Sequence, residues 1–151
     1  MDTSTTATKA LVVDETGACL GTAASTYDLE TPRPLWAEQD PALWWTAAQR
    51  SIPAALRDAG VDGAAIDGVG LTGQMHGLVL LDESRRVVRP AILWNDQRSA
   101  RECEDIRQAV GFDELLRITG NDAFPGFTLP KLLWVRRHEP EVFRRVRHLL
   151  L

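Results

Sequence analysis

The stretch GVGLTGQMHGLVLLDESRRVVRPAILWNDQR, residues 68–98, decides how this chain is read. It continues the apolar run IDGVGLTG (66–73), which reads as a buried strand. The segment GLVLLDESRRVVRPAILW (77–94) reads as a hairpin turning at Asp82 to Arg85. Between the two lie Gln74, Met75 and His76, with Gly73 and Gly77 on either side. A bend between strands needs one or two glycines and a polar residue. This one carries an amide, a thioether and an imidazole in succession. Either it is a tight turn whose histidine is satisfied internally, or its side chains face a small polar ligand.

Upstream, residues 8–30 (TKALVVDETGACLGTAASTYDLE) form a second hairpin pattern. Ala10 to Val13 is strand-like, Asp14 to Gly17 is the turn, and Ala18 to Tyr27 returns. The prolines of TPRPLWAEQDP (31–41) exclude regular structure. Asp40 and Pro41 then open a helix as N-cap and first-turn residue. Leu43, Trp44, Ala47, Ala48, Ile52, Ala55 and Leu56 follow at helical spacing, and Gly60 stops the run. Pro53 interrupts that helix. Downstream the pattern is helical near 98–109, 113–118, 129–138 and 141–146. The C-terminal RHLLL (147–151) reads as the start of a buried strand. Strands gather in the first two-thirds and helices in the last third. The expectation is an α/β chain over 2–151, one incomplete domain of mixed sheet built from hairpins with flanking helices.

Size and composition agree with that. The 151 residues are 44% hydrophobic and 25% charged, with a net charge of −4, so no nucleic-acid surface is implied. No apolar run is long enough to span a membrane, and no basic-then-apolar leader is visible. Cys19 and Cys103 have neither disulfide-framework nor zinc spacing, and a cytoplasmic protein is expected. The cations are almost all arginine, with lysine only at positions 9 and 131.

Two further stretches carry chemistry. In DTSTTATK (2–9) a carboxylate precedes a run of small hydroxyl residues, followed by Lys9. Such a turn suits phosphate, through backbone N–H groups and threonine hydroxyls, with the carboxylate on a Mg²⁺-bound water. It reads equally as a frayed polar terminus. In LWNDQRSARE (93–102), Asn95, Asp96 and Arg98 suit a pocket mouth, or Asn95 or Asp96 caps the next helix. The tryptophans are assigned mostly to packing. Walker-type, dinucleotide-binding and H-E-x-x-H motifs are absent.

Taken in order, DTSTTATKALVVD, PLWAEQDPALWW, the 68–98 stretch, ITGN (118–121) and GFTLPKLLWVRRHEPE (126–141) resemble the N-terminal part of the FGGY carbohydrate kinases. The resemblance covers essentially the whole chain, and GQMHG and ILWNDQR are its most specific blocks. It implies a ribonuclease H-like fold of the hexokinase and actin type. It also implies ATP- and Mg²⁺-dependent transfer of a phosphoryl group to a sugar hydroxyl. Carried onto this chain, Asp2 matches the carboxylate near Mg²⁺, and Thr5, Thr6 and Lys9 match positions near the nucleotide phosphates. Met75 and His76 match the pair that contacts an open-chain ketose, with Gln74 beside them and Asn95 and Asp96 lining the same pocket. The Met-His pair favours a ketopentose, so D-xylulose converted to D-xylulose 5-phosphate is the expected reaction of an intact parent. Another ketose such as ribulose is the alternative, and a non-catalytic sugar-binding module is the rival class.

Ser4 and Ala7 stand where the family often has glycine. The strand that precedes the motif's aspartate is expected to be missing, so that the first sheet begins with its second strand. The family's general-base aspartate and second domain are expected to lie beyond residue 151. The chain reads as truncated at both ends and is expected to be inactive alone, lacking a possible C-terminal kinase half. Oligomeric state is left open.

Overall fold

The structure is a computed structural model and describes residues 1–151. In chain order its first elements are β1 (Asp2–Thr3), β2 (Ala7–Val13), β3 (Cys19–Thr26), β4 (Glu38–Gln39), α1 (Pro41–Ala59) and β5 (Thr72–Gly73). They are followed by β6 (Val79–Leu81), β7 (Ala91–Ile92), α2 (Ala100–Val110), α3 (Phe112–Thr119), α4 (Thr128–His138), α5 (Pro140–Arg145) and β8 (His148–Leu150). The chain divides into two compact units. One comprises Met1–Leu29 with Pro41–Gln74, the other Glu30–Asp40 with Met75–Leu151. No helix is long and apolar enough to cross a membrane.

The first unit is a mixed four-stranded sheet in the order β3-β2-β1-β5. β1 runs antiparallel to β2, pairing Asp2 with Lys9, and parallel to β5, pairing Asp2 with Thr72. The β2–β3 hairpin forms where the alternation predicts it. Its turn is tied by the Asp14 carboxylate, which accepts from Thr16 N and Ala18 N, each at 2.9 Å. The Thr16 hydroxyl and those amides hold the Asp14 pKa below its ordinary value. Period-two alternation turns Ala10 and Val12 inward to Ala55 of α1. Gly21 lets α1 lie directly on β3. A Cβ there would sit 2.4 Å from Ala59 N and 2.8 Å from Ala55 O. The helix runs from Pro41 to Ala59, through Pro53.

In the second unit β4 pairs with β7, and β6 with β8, both antiparallel. Leu78, Leu80 and Ile92 pack with Trp134 and Val135 of α4. Cys103 and Ile106 of α2 pack with Leu115 of α3 and Ala123. The β6 hairpin turns at Asp82, as expected, with Arg85 in the left-handed region (φ 60°).

Four expectations are corrected. Residues 31–41 are not wholly irregular: past the prolines at 32 and 34, Glu38–Gln39 forms β4 and pairs with β7. Asp2–Thr3 is itself a strand, so the sheet includes a strand before β2. Residues 66–73 are not a buried strand. Only Thr72–Gly73 pairs, and Val69 and Leu71 are 76% and 72% exposed. The partner β1 is two residues long, so the parallel ladder has nothing to extend along. Leu149 and Leu150 of the C-terminal run do join a strand, β8, but in a two-stranded pair, and their side chains are exposed.

Candidate functional site

Within the GQMHG stretch, Gly73 and Gln74 belong to the first unit, and Met75, His76 and Gly77 to the second. His76 adopts φ 63°, a left-handed conformation that histidine visits more readily than most residues, at a cost of roughly 1–2 kcal/mol. That turn aims the His76 carbonyl at α4, where it accepts from Lys131 Nζ at 2.5 Å and from the Thr128 hydroxyl at 3.3 Å. The same ammonium donates to Leu93 O at 3.0 Å and to Gly126 O at 2.9 Å, so each of its three protons meets a carbonyl. Lys131 is fully buried, and burial pulls its pKa down to about 8, with Asp96 resisting and Arg98 assisting the shift. Gly126 must be glycine, because a Cβ would lie 2.6 Å from Trp94 O.

The side chains of the bend point elsewhere. Met75 is 70% exposed. The His76 imidazole leans on Phe127, ring centroids 4.9 Å apart, and borders a cavity of about 300 Å³ shared with Thr119, Asn121 and Ala123. Thioether and imidazole are thereby presented by a backbone locked from behind. This arrangement can offer a carbon face and a hydrogen-bonding ring to a small hydroxylated molecule.

Asp96 is placed differently from the pocket-mouth expectation. It is fully buried, and its carboxylate accepts from Ala37 N at 2.7 Å, Arg98 N at 2.9 Å and Arg98 Nη2 at 2.7 Å. Neither is it the N-cap of α2, a position held by Ser99. Arg98 continues the network to Glu38 at 2.6 Å, which also accepts from Arg89 at 2.5 Å. Its guanidinium lies 3.8 Å from the Trp36 ring centre, and Trp36 meets Trp134 edge-on at 5.2 Å. Asp96 thus anchors the 93–98 loop. Asn95 beside it is half-buried, and its Oδ1 is buried with no hydrogen bond from the protein. That leaves an acceptor to offer.

In the first unit, the turn between β1 and β2 holds Ser4, Thr5 and Thr6. Ser4 N and Oγ both donate to Ala7 O, at 2.9 and 3.0 Å. Tyr27 closes the base of the hairpin by donating to Ser4 O at 2.8 Å, and burial raises its phenol pKa. Thr6 and Lys9 are exposed, and Asp2 and Thr5 half-buried. Asp2 and Lys9 are directly opposed across strands, so carboxylate and ammonium share one face. Gln74 belongs here: its backbone N–H donates to Thr3 O at 2.9 Å, and its side-chain Oε1 accepts from the Thr5 hydroxyl at 3.5 Å.

Sequence reasoning missed Lys131 and the Glu38–Arg98 network. A signal for the first was in the composition. In a chain whose other cations are arginine apart from Lys9, a lysine within the apolar stretch TLPKLLWV (128–135) points to a place that suits a single point donor. The tryptophans divide: Trp134 is buried and Trp36 packs beside it, whereas Trp45 and Trp94 are 67% and 49% exposed.

Comparison with known proteins decides the family. The model of the N-terminal domain of the FGGY family of carbohydrate kinases matches residues 1–151. The chain belongs to the FGGY family of carbohydrate kinases. It is 43% identical to the xylulose kinase of Escherichia coli K12 over 156 aligned residues, covering all of this chain and 30% of that enzyme. Identity to the Bacillus subtilis xylulose kinase is 40%, again over the whole chain and 30% of the relative. Among solved structures, the xylulose kinase of Rhodospirillum rubrum superposes with a TM-score of 0.91 at 33% identity, over 98% of this chain and 30% of that one. The chain therefore spans about a third of the length of the relatives it matches. The FGGY assignment carries the actin-like α/β fold, in agreement with the mixed sheet and flanking helices of this chain.

Proposed function

We propose that this chain provides the sugar-contacting wall and part of the phosphate-contacting turn of an ATP-dependent kinase. That kinase converts D-xylulose to D-xylulose 5-phosphate in the cytoplasm. The observation that carries the reading is the bend at 75–76. It presents an exposed thioether and an imidazole from a locked backbone, in a chain alignable end to end with xylulose kinases. In this reading His76 hydrogen-bonds sugar hydroxyls, Met75 covers a carbon face, and Asn95 Oδ1 accepts from a hydroxyl. Asp96 acts behind them as an anchor. Gln74 holds the Thr5 hydroxyl and so orders the phosphate turn.

The donor set at that turn fits a magnesium-bound nucleotide. A single carboxylate suits Mg²⁺, which keeps several waters and takes its other ligands from phosphates. Asp2 would hold a metal-bound water, Thr6 and Lys9 would donate to phosphate oxygens, and the Thr5 hydroxyl would do so only on turning away from Gln74. When bound, MgATP supplies the phosphoryl group. We assign no general base among residues 1–151, and such a base is commonly worth ~10²- to 10⁴-fold. The chain alone is therefore expected to lack turnover.

The test is a transplant. Residues 1–151 replace the matched part of the E. coli xylulose kinase, and ADP release is followed with D-xylulose, D-ribulose and L-ribulose. Activity strongest on D-xylulose, lost on His76→Ala in the transplant with the fold retained, is the expected result. A transplant that prefers another ketose, or is indifferent to His76→Ala, overturns the substrate assignment. Sugar-dependent ADP release by the isolated chain overturns the assignment of the base elsewhere.

A further inference from the structure

We infer that Lys131 is a positioning residue for His76: its buried ammonium grips the His76 carbonyl and holds the bend in its left-handed form. The inference rests on the reading of His76 as a sugar contact for its functional meaning, but not for its geometry.

The His76 carbonyl has two donors, and the shorter contact, at 2.5 Å, is from Lys131. The same Nζ binds Leu93 O, just after β7, and Gly126 O, just before α4. One nitrogen thus joins the bend, the loop bearing Asn95 and the loop bearing Phe127, whose ring supports the imidazole. No other side-chain chemistry substitutes. Arginine spreads its donors over a planar fork and cannot converge on three carbonyls from one point, and methionine fills the space without donating. The position is also electrostatically expensive. Lys131 lies in the first turns of α4, where the helix dipole opposes a cation, and it is fully buried. Of the charged groups acting on it, Asp96 favours the ammonium and Arg98 opposes it.

Such a clamp depends on protonation. The neutral amine has two protons and a lone pair for three carbonyls, so one contact turns from attraction to repulsion. With the pKa drawn down to about 8, the grip is largely intact at pH 7 and mostly released at pH 9.

The experiment follows the backbone of the ¹³C,¹⁵N-labelled chain by NMR from pH 6.5 to 9.5. The carbonyl resonances of His76, Leu93 and Gly126 are expected to move together, with one midpoint near 8 that matches the Lys131 Nζ signal. In Lys131→Met the step should vanish, and the His76 φ-sensitive coupling should change. Should that variant not fold, the wild-type titration still decides. A Lys131 that titrates while the His76 carbonyl stays still, or a folded Lys131→Met with the bend unchanged, would overturn the inference. D-xylulose added at pH 7 separates the two readings. A carbonyl step at His76 with no sugar-induced shift there upholds the clamp and removes the sugar contact. Sugar shifts at His76 with no carbonyl step overturn the clamp and leave the contact standing.

Discussion

Replacing Asp96 with asparagine distinguishes an anchor from a ligand contact. The carboxylate accepts from Ala37 N (2.7 Å), Arg98 N (2.9 Å), Arg98 Nε (2.9 Å) and Arg98 Nη2 (2.7 Å), and is fully closed to solvent. Asparagine keeps the shape but brings an NH₂ group to one oxygen position, where it must confront a donor whichever way the amide turns. At least one charge-assisted bond is lost, worth about 1.5–3 kcal/mol. The Arg98 guanidinium, 1% exposed, is then left with only Glu38 as counter-charge, and Glu38 is already shared with Arg89. Breaking a buried pair from one side costs roughly 3–5 kcal/mol, and that range includes the lost bond. With a urea m-value of ~2 kcal/mol/M, Asp96→Asn should lower the unfolding midpoint by about 1.5–2.5 M. Equilibrium urea unfolding at pH 7, followed by tryptophan fluorescence and circular dichroism, reads this directly. An Asp96→Asn chain as stable as wild type would refute the anchor and return Asp96 to the pocket mouth.

Two other measurements probe the units separately. Gly21→Ala places a methyl 2.4 Å from Ala59 N and 2.8 Å from Ala55 O, both backbone atoms that cannot rotate away, so α1 must lift from β3. Thermal melts should show a loss of about 1–3 kcal/mol or more, and an unchanged Tm would mean that α1 does not lie this close. The second concerns pH. Lys131 has a folded pKa of about 8, below its ordinary 10.5, so the native state binds fewer protons between those values and stability rises with pH there. Cys103, pushed up to about 11 by burial, works in the opposite direction. In a Cys103→Ala background, stability should therefore climb by roughly 1 kcal/mol from pH 8 to pH 9 in urea titrations, and a flat or falling profile would contradict the buried ammonium.

Legibility in the sequence followed the range of the interactions. The β2–β3 hairpin and α1 could be read because their signals are local: alternation, an Asp-to-Gly turn, and Asp40-Pro41 at one end of the helix with Gly60 at the other. The 66–73 segment could not, because whether an apolar run becomes a buried strand depends on the length of its partner, and β1 offers two residues. At the candidate site, the bend's unusual composition was visible, but its lock was not. Lys131 lies 55 positions from His76, and Asp96 is tied to Ala37 across 59. Asp96 looked like a ligand or a cap because both uses share its chemistry. Only the closed shell of donors around it separates an anchor from either.

The expected pH behaviour of Lys131 and its geometry bear on the proposed positioning role. A depressed pKa means that the charged form costs the folded state free energy, on the order of 3 kcal/mol at neutral pH relative to a lysine in water. Burial thus favours the neutral amine over the ammonium, and in the Cys103→Ala background raising the pH from 8 to 9 should make the chain harder to unfold while loosening the bend. These two responses have opposite signs, so urea titration and the His76 carbonyl step read them separately. A residue kept only for packing would stabilise the bend and the fold together. One that strains the fold to fix a left-handed histidine at the edge of a 300 Å³ cavity spends that free energy on position. In the proposed reading, where His76 would contact a sugar hydroxyl, a ring displaced by even 1 Å would miss that hydroxyl, and positioning errors of that size cost as much as ~10²-fold in rate.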